Sequence, residues 1–107
     1  MLMQGPIRVL TERVMSRGFE PTVGRLLEQM RSTVSKQPGL ISVETLGDAQ
    51  DYHHQVTISQ WRTQKEYLAW RDSEEYKKLS NALSEVLDQP NCKTRILHAP
   101  RDDIFLL

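Results

Sequence analysis

The chain has 107 residues, of which 38% are hydrophobic and 26% charged, and its formal net charge is zero. This length leaves room for one modest hydrophobic core, so we expect a single domain over residues 1–107. The balanced charge argues against nucleic-acid binding, which needs a concentrated basic surface. No apolar run is long enough to span a bilayer, so no membrane association is expected.

The cysteine content favours a reducing compartment. Cys92 is the only cysteine, so it cannot form an intramolecular disulfide and cannot build a zinc site by itself. The first ten residues lack the basic and then apolar pattern of a signal peptide. We therefore expect a cytoplasmic protein without a metal site.

The first two predicted elements are a strand and an amphipathic helix. Residues 6–15 (PIRVLTERVM) alternate along a strand, with Ile7, Val9 and Thr11 on one face. Between residues 21 and 37 the apolar residues recur at the spacing of one helical stripe. The Gln-Pro-Gly sequence that closes this segment predicts the end of the helix, because proline disfavours a helical residue before it.

A hairpin is predicted next. Residues 40–46 (LISVETL) and 53–61 (HHQVTISQW) both have strand patterns. The connecting segment is rich in turn-forming residues, so the two strands should pair antiparallel.

The last third of the chain predicts a helical region and a final strand. Thr63 with Glu66 three residues later forms a capping-box pattern, which indicates a helix start. Ser73 is placed to cap a second helical segment, which the sequence DQPN at residues 88–91 ends. Residues 92–99 (CKTRILHA) predict the fourth strand.

The order strand, helix, strand, strand, helix, strand predicts a ferredoxin-like α+β fold, with one antiparallel sheet and both helices on one face. The other face of that sheet carries apolar residues such as Leu10 and Val14. A homodimer that packs two sheets face to face would cover them.

Two segments resemble a known family. The sequences QPGLISVE and ISQWRTQKEYLAWRDSEEYKKL are similar to the second-strand entry and the third-strand-to-second-helix signature of antibiotic-biosynthesis-monooxygenase domains. The aromatic and serine positions of that signature are occupied in turn by Trp61, Tyr67, Trp70, Ser73 and Tyr76. The resemblance covers residues 7 to 99 and implies a dimeric α+β barrel with a cavity between helices and sheet in each subunit.

The heme-degrading branch of this family matches only in part. Its pattern has an asparagine on the first strand, a tryptophan in the second helical region and a later histidine that ligates iron. Trp70 matches, but Ser80 stands at the histidine position, and Thr11 or Glu12 stands at the asparagine position. Serine is a poor iron ligand beside a neutral imidazole. The sequence therefore predicts no bound cofactor, and heme held by other ligands such as His98 ranks third among the possible functions.

The tryptophans are the first candidate site residues. Trp61 and Trp70 offer flat, rigid surfaces suited to an aromatic ligand, and Tyr67 lies between them in sequence. The alternative is that both indoles fill the core, which we favour for Trp61 at its strand end. Trp70 is predicted as a catalytic residue, because the resemblance places it at the cavity.

The polar candidates are Glu12, Thr11 and Ser80. Glu12 would serve as a general base if burial raised its pKa, and its alternative is an ion pair with Arg13 or Arg95. Thr11 and Ser80 are predicted to bind substrate. One of Thr11 and Glu12 should face the cavity and the other the dimer interface, because neighbouring strand residues point to opposite faces.

The histidines give little indication of a metal. His53 and His54 are adjacent on a predicted strand, so they point to opposite faces and cannot bind one ion together. We expect both to be exposed near the hairpin turn.

Two functions rank ahead of heme binding. The first, which the family resemblance implies, is a cofactor-independent monooxygenase acting on a hydrophobic aromatic substrate in the cavity. The second is a non-catalytic domain of the same fold that binds a small ligand or a partner.

Overall fold

The computed structural model describes residues 5–87 and 93–98. The elements in these ranges are β1 (Ile7–Val14), α1 (Glu20–Val34), β2 (Leu40–Gly47), β3 (His54–Trp61), α2 (Gln64–Arg71), α3 (Glu74–Ser84) and β4 (Lys93–His98). The strands form one antiparallel sheet in the order β2-β3-β1-β4. The predicted ferredoxin-like α+β fold is therefore confirmed, while the predicted helix stop at residues 88–91 and both ends of the predicted last strand lie outside the described residues.

The second helical region consists of two short helices, each capped by the residue that the sequence indicated. Thr63 Oγ1 accepts a hydrogen bond from the Glu66 backbone N–H at 3.2 Å, and it donates to Glu66 Oε1 at 3.0 Å. Ser73 Oγ accepts from the Tyr76 backbone N–H at 3.2 Å. The chain therefore begins a new helix at each cap, which aims Tyr67 and Trp70 of α2 and Tyr76 of α3 towards the sheet.

Gly39 connects the end of α1 to β2 in a conformation that favours glycine. Its φ is +89°, and a Cβ at this position would collide with the carboxyl group of Glu66. The carbonyl of Gly39 also accepts a hydrogen bond from the Arg62 N–H at 2.8 Å. The start of β2 is thereby held against the start of α2.

The helices cover the sheet face formed by the odd-numbered residues of β1 and β3. The register places Val9 opposite Ser59 and Thr11 opposite Thr57, so these residues share one face. The main core cluster on this face consists of Ile7, Val9, Val34, Trp61, Tyr67 and Trp70. A second buried cluster of Met15, Val23, Leu83 and Leu87 closes the other end of the helix layer.

The opposite sheet face carries the apolar residues that the sequence assigned to it. Leu10 pairs with Ile58 across β1 and β3, and both are half-buried. Leu46 and Leu97 lie on the same face of the outer strands and are 50% and 37% exposed, while the direct neighbours of Ile58 and Leu10 there are Glu44 and Arg95. This face therefore carries apolar residues among charged ones.

The prediction that both histidines are exposed is wrong for His53. Its Nε2 lies 3.0 Å from Glu20 Oε1, and only 17% of its side chain is exposed. His54 points to the other side of the sheet, where its Nε2 lies 4.0 Å from Glu12 Oε1. The His53 contact fastens the hairpin turn to the first residue of α1, a long-range contact that strand periodicity does not indicate.

We predict a pH-dependent contribution of Glu20 to stability. Its hydrogen bond with His53 is the largest cause that lowers the pKa of Glu20 from 4.5 to about 2. A carboxylate whose pKa is lower in the folded state stabilises the fold above its unfolded pKa, and this stabilisation is lost as the pH falls from 4.5 towards 2. Glu20→Gln should therefore lower the urea midpoint at pH 7, and the gap to the wild type should close across that window.

The matched control is Glu28→Gln, which removes an exposed ion pair with Arg31 within α1. Such surface pairs contribute little, so the urea midpoint should hardly change at pH 7. A gap between Glu20→Gln and the wild type that stays constant down to pH 2 would contradict the assignment.

Candidate functional site

A cavity lies between the helices and the sheet, with walls from β1, β2 and β3 below and from α1, α2 and α3 above. Its volume is about 50 Å³. A buried water needs roughly 10–15 Å³ of such space, so the cavity has room for a few water molecules in this conformation. It is the space that the sequence resemblance implied between helices and sheet.

The floor of the cavity is polar because the strands place hydroxyl groups on the helix-facing side. Thr45 Oγ1 and Thr57 Oγ1 are hydrogen-bonded across β2 and β3 at 2.9 Å. Thr57 Oγ1 also accepts from Arg13 Nη1 at 3.0 Å. Thr11 and Ser59 complete this floor.

Arg13 is the charged residue in the floor. Its side chain is nearly enclosed, with 7% of the residue exposed. Besides Thr57, its guanidinium contacts Met30, whose Sδ lies 3.7 Å from Nη2. Its Nε is buried and has no hydrogen-bond partner within the ranges described, and no carboxylate there lies within ion-pair distance. The charge of Arg13 is therefore buried beside neutral groups.

One wall is aromatic and is built from two edge-to-face ring pairs, with Trp61 supplied by β3 and the other three rings by α2 and α3. The centroids of Trp61 and Tyr67 are 5.7 Å apart, and those of Trp70 and Tyr76 are 5.5 Å apart. Trp61 is fully buried, and its indole Nε1 donates to Ser59 Oγ at 3.0 Å. Such pairs hold their rings in fixed orientations, which presents a rigid apolar surface to the cavity.

Burial also reinforces the neutral form of a phenol at this wall. Desolvation is the largest cause that raises the pKa of Tyr67 to about 12. Tyr67 is therefore neutral at pH 7, and its O–H can donate a hydrogen bond.

Four of the predicted site residues meet in the cavity: Thr11, Trp61, Tyr67 and Trp70. Trp61 is both a core residue and part of the cavity wall. Ser80 is half-buried on α3 and does not line the cavity.

Glu12 points to the opposite sheet face, as expected for the neighbour of a cavity-facing Thr11. Its side chain is 45% exposed and lies near His54. The sheet therefore separates its carboxylate from the cavity, and also from Arg13, which was one of its two predicted ion-pair partners.

Sequence reasoning missed Arg13 and the hydroxyls of Thr45 and Thr57 as parts of the site. A usable signal was present for Arg13. The alternation that predicts Ile7, Val9 and Thr11 on one face continues to residue 13. The position of Thr57 depends on strand register, which the sequence pattern alone did not specify.

The lining contributed by the described residues contains no histidine, cysteine or carboxylate. Within residues 5–87 and 93–98, no group of three or more histidine, cysteine, aspartate or glutamate side chains could hold a metal ion. None of the helices in these ranges is both long and apolar enough to cross a membrane.

An antiparallel sheet with helices over one face and a cavity between the two layers defines a ferredoxin-like α+β domain with an internal site. The chain belongs to the antibiotic biosynthesis monooxygenase family, whose model matches residues 6–82. The resemblance seen in the sequence is thereby confirmed. No curated protein matches the sequence.

Solved structures support the same fold. A conserved protein from Methanosarcina mazei Go1 is 16% identical, with a TM-score of 0.84 over 91% of this chain and 95% of that chain. A putative antibiotic biosynthesis monooxygenase from Caulobacter crescentus CB15 is 11% identical, with a TM-score of 0.85 over 94% of each chain. SnoaB, a cofactor-independent oxygenase from Streptomyces nogalater, is 11% identical, with a TM-score of 0.80 over 91% of this chain and 95% of its own.

We predict that the Ser59 hydroxyl stabilises the aromatic wall. Ser59→Ala removes the acceptor of the buried Trp61 N–H, and an unpaired buried donor costs about 1–3 kcal/mol in the free energy of unfolding. Ser42→Ala is the control, because its exposed hydroxyl bonds Gln60 on the neighbouring strand at 3.1 Å. Its effect should stay within about 0.5 kcal/mol. Equal losses in urea unfolding of the two variants would contradict this role of Ser59.

Proposed function

We propose that the protein is a small monooxygenase that oxidises a hydrophobic aromatic substrate in this cavity without a tightly bound cofactor. The observation that carries the proposal is the rigid aromatic wall facing a hydroxyl-lined floor, which suits a flat ring that bears oxygen substituents. Membership of the monooxygenase family supports it. The description of the structural neighbour SnoaB as a cofactor-independent oxygenase is consistent with it. The proposed location is the cytoplasm, which the single cysteine favours.

The proposed reaction begins with an acidic C–H of the substrate. Since the described lining supplies no carboxylate or imidazole, the proton passes to water, and Glu12 behind the sheet takes no part. The substrate anion gives one electron to O₂, and the two radicals combine to form a C–O bond. The resulting peroxide anion takes a proton back from water and then eliminates water to leave a carbonyl, so that CH₂ and O₂ become C=O and H₂O.

The side chains act in this scheme by orientation and hydrogen bonding. Trp61 and Trp70 fix the plane of the ring, which raises the fraction of collisions with O₂ that are productive. The neutral Tyr67 phenol donates a hydrogen bond to the developing peroxide oxygen. Neither role requires a group that changes its own oxidation state.

The substrate must displace side chains on entry, because a cavity of about 50 Å³ is smaller than a polycyclic ring. Met30 of α1 lines it and is unbranched and flexible. Arg31 lines it as well, and its side chain is 61% exposed. We place the entrance beside these two residues of α1.

The oxidation is tested by oxygen consumption with anthrone, whose CH₂ group is acidic, and with anthracene as the negative control. We expect anthrone to be converted to anthraquinone with one O₂ consumed per product, faster than without protein. Trp70→Phe should lower kcat/KM about tenfold, because a tenfold change corresponds to the free energy of about one aromatic pair interaction. Tyr52→Phe, at a position 65% exposed and outside the cavity, should leave kcat/KM unchanged. No uptake above the uncatalysed rate, with anthrone or with hydroxylated anthrones, would contradict the proposal.

A second candidate is a ligand-binding domain without catalysis. The specific observation in its favour is the described lining, which contributes no side chain suited to acid–base catalysis at neutral pH. This candidate predicts that anthraquinone quenches the fluorescence of Trp61 and Trp70 while anthrone shows no accelerated oxidation.

We propose further that two copies form a homodimer through the sheet face opposite the helices. Leu10, Ile58, Leu46 and Leu97 lie on that face, and packing against a second sheet would remove them from water. Light scattering should give a dimer mass, and Leu46→Arg should shift it towards the monomer. Tyr52→Arg, also at an exposed position, is the control. A monomer mass for the dilute wild type would contradict the dimer.

A further inference from the structure

We propose that the cavity binds its ligand as an oxyanion, an ionised oxygen carried by a flat aromatic ring, and that Arg13 is the residue that pairs with it. This inference rests on the proposed function only in taking the cavity as the substrate site. It names the charge that the substrate must carry, and it assigns a binding residue that sequence reasoning missed.

Arg13 carries a positive charge that burial does not remove. A guanidinium stays protonated in proteins, so burial cannot be relieved by loss of a proton. Arg13 is 7% exposed, and its contacts with Thr57 and Met30 are both to neutral groups. Buried charges in folded proteins are normally paired, since an unpaired one loses its hydration without compensation. Within the described ranges, the counter-charge of Arg13 is therefore missing.

The atoms of Arg13 without an oxygen partner lie along one edge of its guanidinium. The Nε–H and one N–H of Nη2 form the edge of a guanidinium that holds two oxygens side by side. In Arg13, Nη1 is bonded to Thr57, whereas Nε has no partner within the described ranges and Nη2 contacts a thioether sulfur at 3.7 Å. The edge suited to a bidentate oxyanion is therefore the one without an oxygen partner.

The described residues around Arg13 in the cavity are neutral or positively charged. The residue opposite Arg13 on β3 is Gln55, a neutral side chain that is 8% exposed. The other charged residue lining the cavity is Arg31, also a cation, whose partner Glu28 lies at the exposed side of α1. The charged side chains of the described lining are therefore both cationic, and none of the other lining residues there is acidic. Such a lining favours an anion over a neutral ligand of the same shape.

The chemical consequence joins this site to the oxidation. A cation beside the substrate oxygen stabilises its enolate, which lowers the pKa of the substrate and lets water accept the proton. The cavity then needs no general base of its own. Arg13 is in this scheme a substrate-binding residue that acts on the ionised oxygen.

The test compares ligands of one shape and two charges. The purified full-length protein is titrated with 2-naphthoate and with 2-naphthamide, and binding is followed by tryptophan fluorescence and calorimetry. Loss of a charge-assisted hydrogen bond typically weakens binding by about tenfold to a hundredfold, so naphthoate should bind tighter than naphthamide by at least about tenfold. The ionised form of 2-hydroxy-1,4-naphthoquinone is titrated in parallel, and the tighter of the two anions shows whether the site favours a carboxylate or an enolate.

The variants separate pairing with the ligand from a structural role. Arg13→Met keeps an unbranched stem without the charged guanidinium, and it should abolish the preference for naphthoate while changing naphthamide affinity by less than about threefold. Arg13→Lys keeps the positive charge but cannot form a bidentate contact. It should therefore retain part of the preference for naphthoate over naphthamide. Arg62→Met is the control, because its guanidinium is 66% exposed, pairs with Glu66 and lies outside the cavity lining, so its loss should have a small effect.

Equal affinity of the wild type for naphthoate and naphthamide overturns the inference. It is also overturned if neither ligand binds. A parallel loss of both affinities in Arg13→Met also overturns it, because a structural role would affect both ligands. If Arg13→Met does not fold, the ratio of naphthoate to naphthamide affinity in the wild type and in Arg13→Lys still tests the inference. Oxygen consumption that is equal for neutral and ionised substrates would leave the proposed function intact and remove the inference. Selective naphthoate binding without any oxygen consumption would support oxyanion binding by Arg13 and contradict the proposed monooxygenase function.

Discussion

The register of β1 is the constraint on which the rest of the structure depends. This strand lies between β3 and β4, and it pairs Thr11 with Thr57 on one side and with Thr94 on the other. Because strand side chains alternate, a slip of one residue would turn every side chain of β1 to the opposite face. Glu12 would then enter the cavity and Arg13 would leave it. The charge of the site is therefore set by backbone pairing as much as by residue type.

The caps of α2 and α3 are the second constraint, because they decide where the aromatic wall lies. One continuous helix over this region would distribute its side chains along a single axis. Thr63 and Ser73 instead start two separate helices, and each helix contributes aromatic rings to the cavity. Gly39 fits closely beside the carboxyl group of Glu66 at the first cap, so the turn after α1 and the start of α2 depend on each other.

The sequence predicts the fold well because its signals are local. Strand alternation and caps formed by one hydroxyl are properties of a few neighbouring residues, and the structure reproduces the predicted strand limits within one residue wherever both ends are described. The lining of the cavity was predicted in part, since Trp61, Tyr67 and Trp70 all contribute to it. Glu12 and Arg13 show where such reasoning fails. They are neighbours in sequence and opposite in charge, yet the sheet separates them, so the ion pair predicted between them does not form. The size of the cavity depends on long-range packing, for which a single sequence contains no direct signal.

The central claim is that the unpaired edge of Arg13 binds an oxyanion inside the cavity. The most direct measurement is a crystal structure of the full-length protein with 2-naphthoate. The account predicts the carboxylate against Arg13, with oxygens about 2.7–2.9 Å from Nε and Nη2 and the rings against Trp61 and Trp70. It would be contradicted by naphthoate bound elsewhere while the cavity stays empty, or by a carboxylate of the protein itself paired with Arg13.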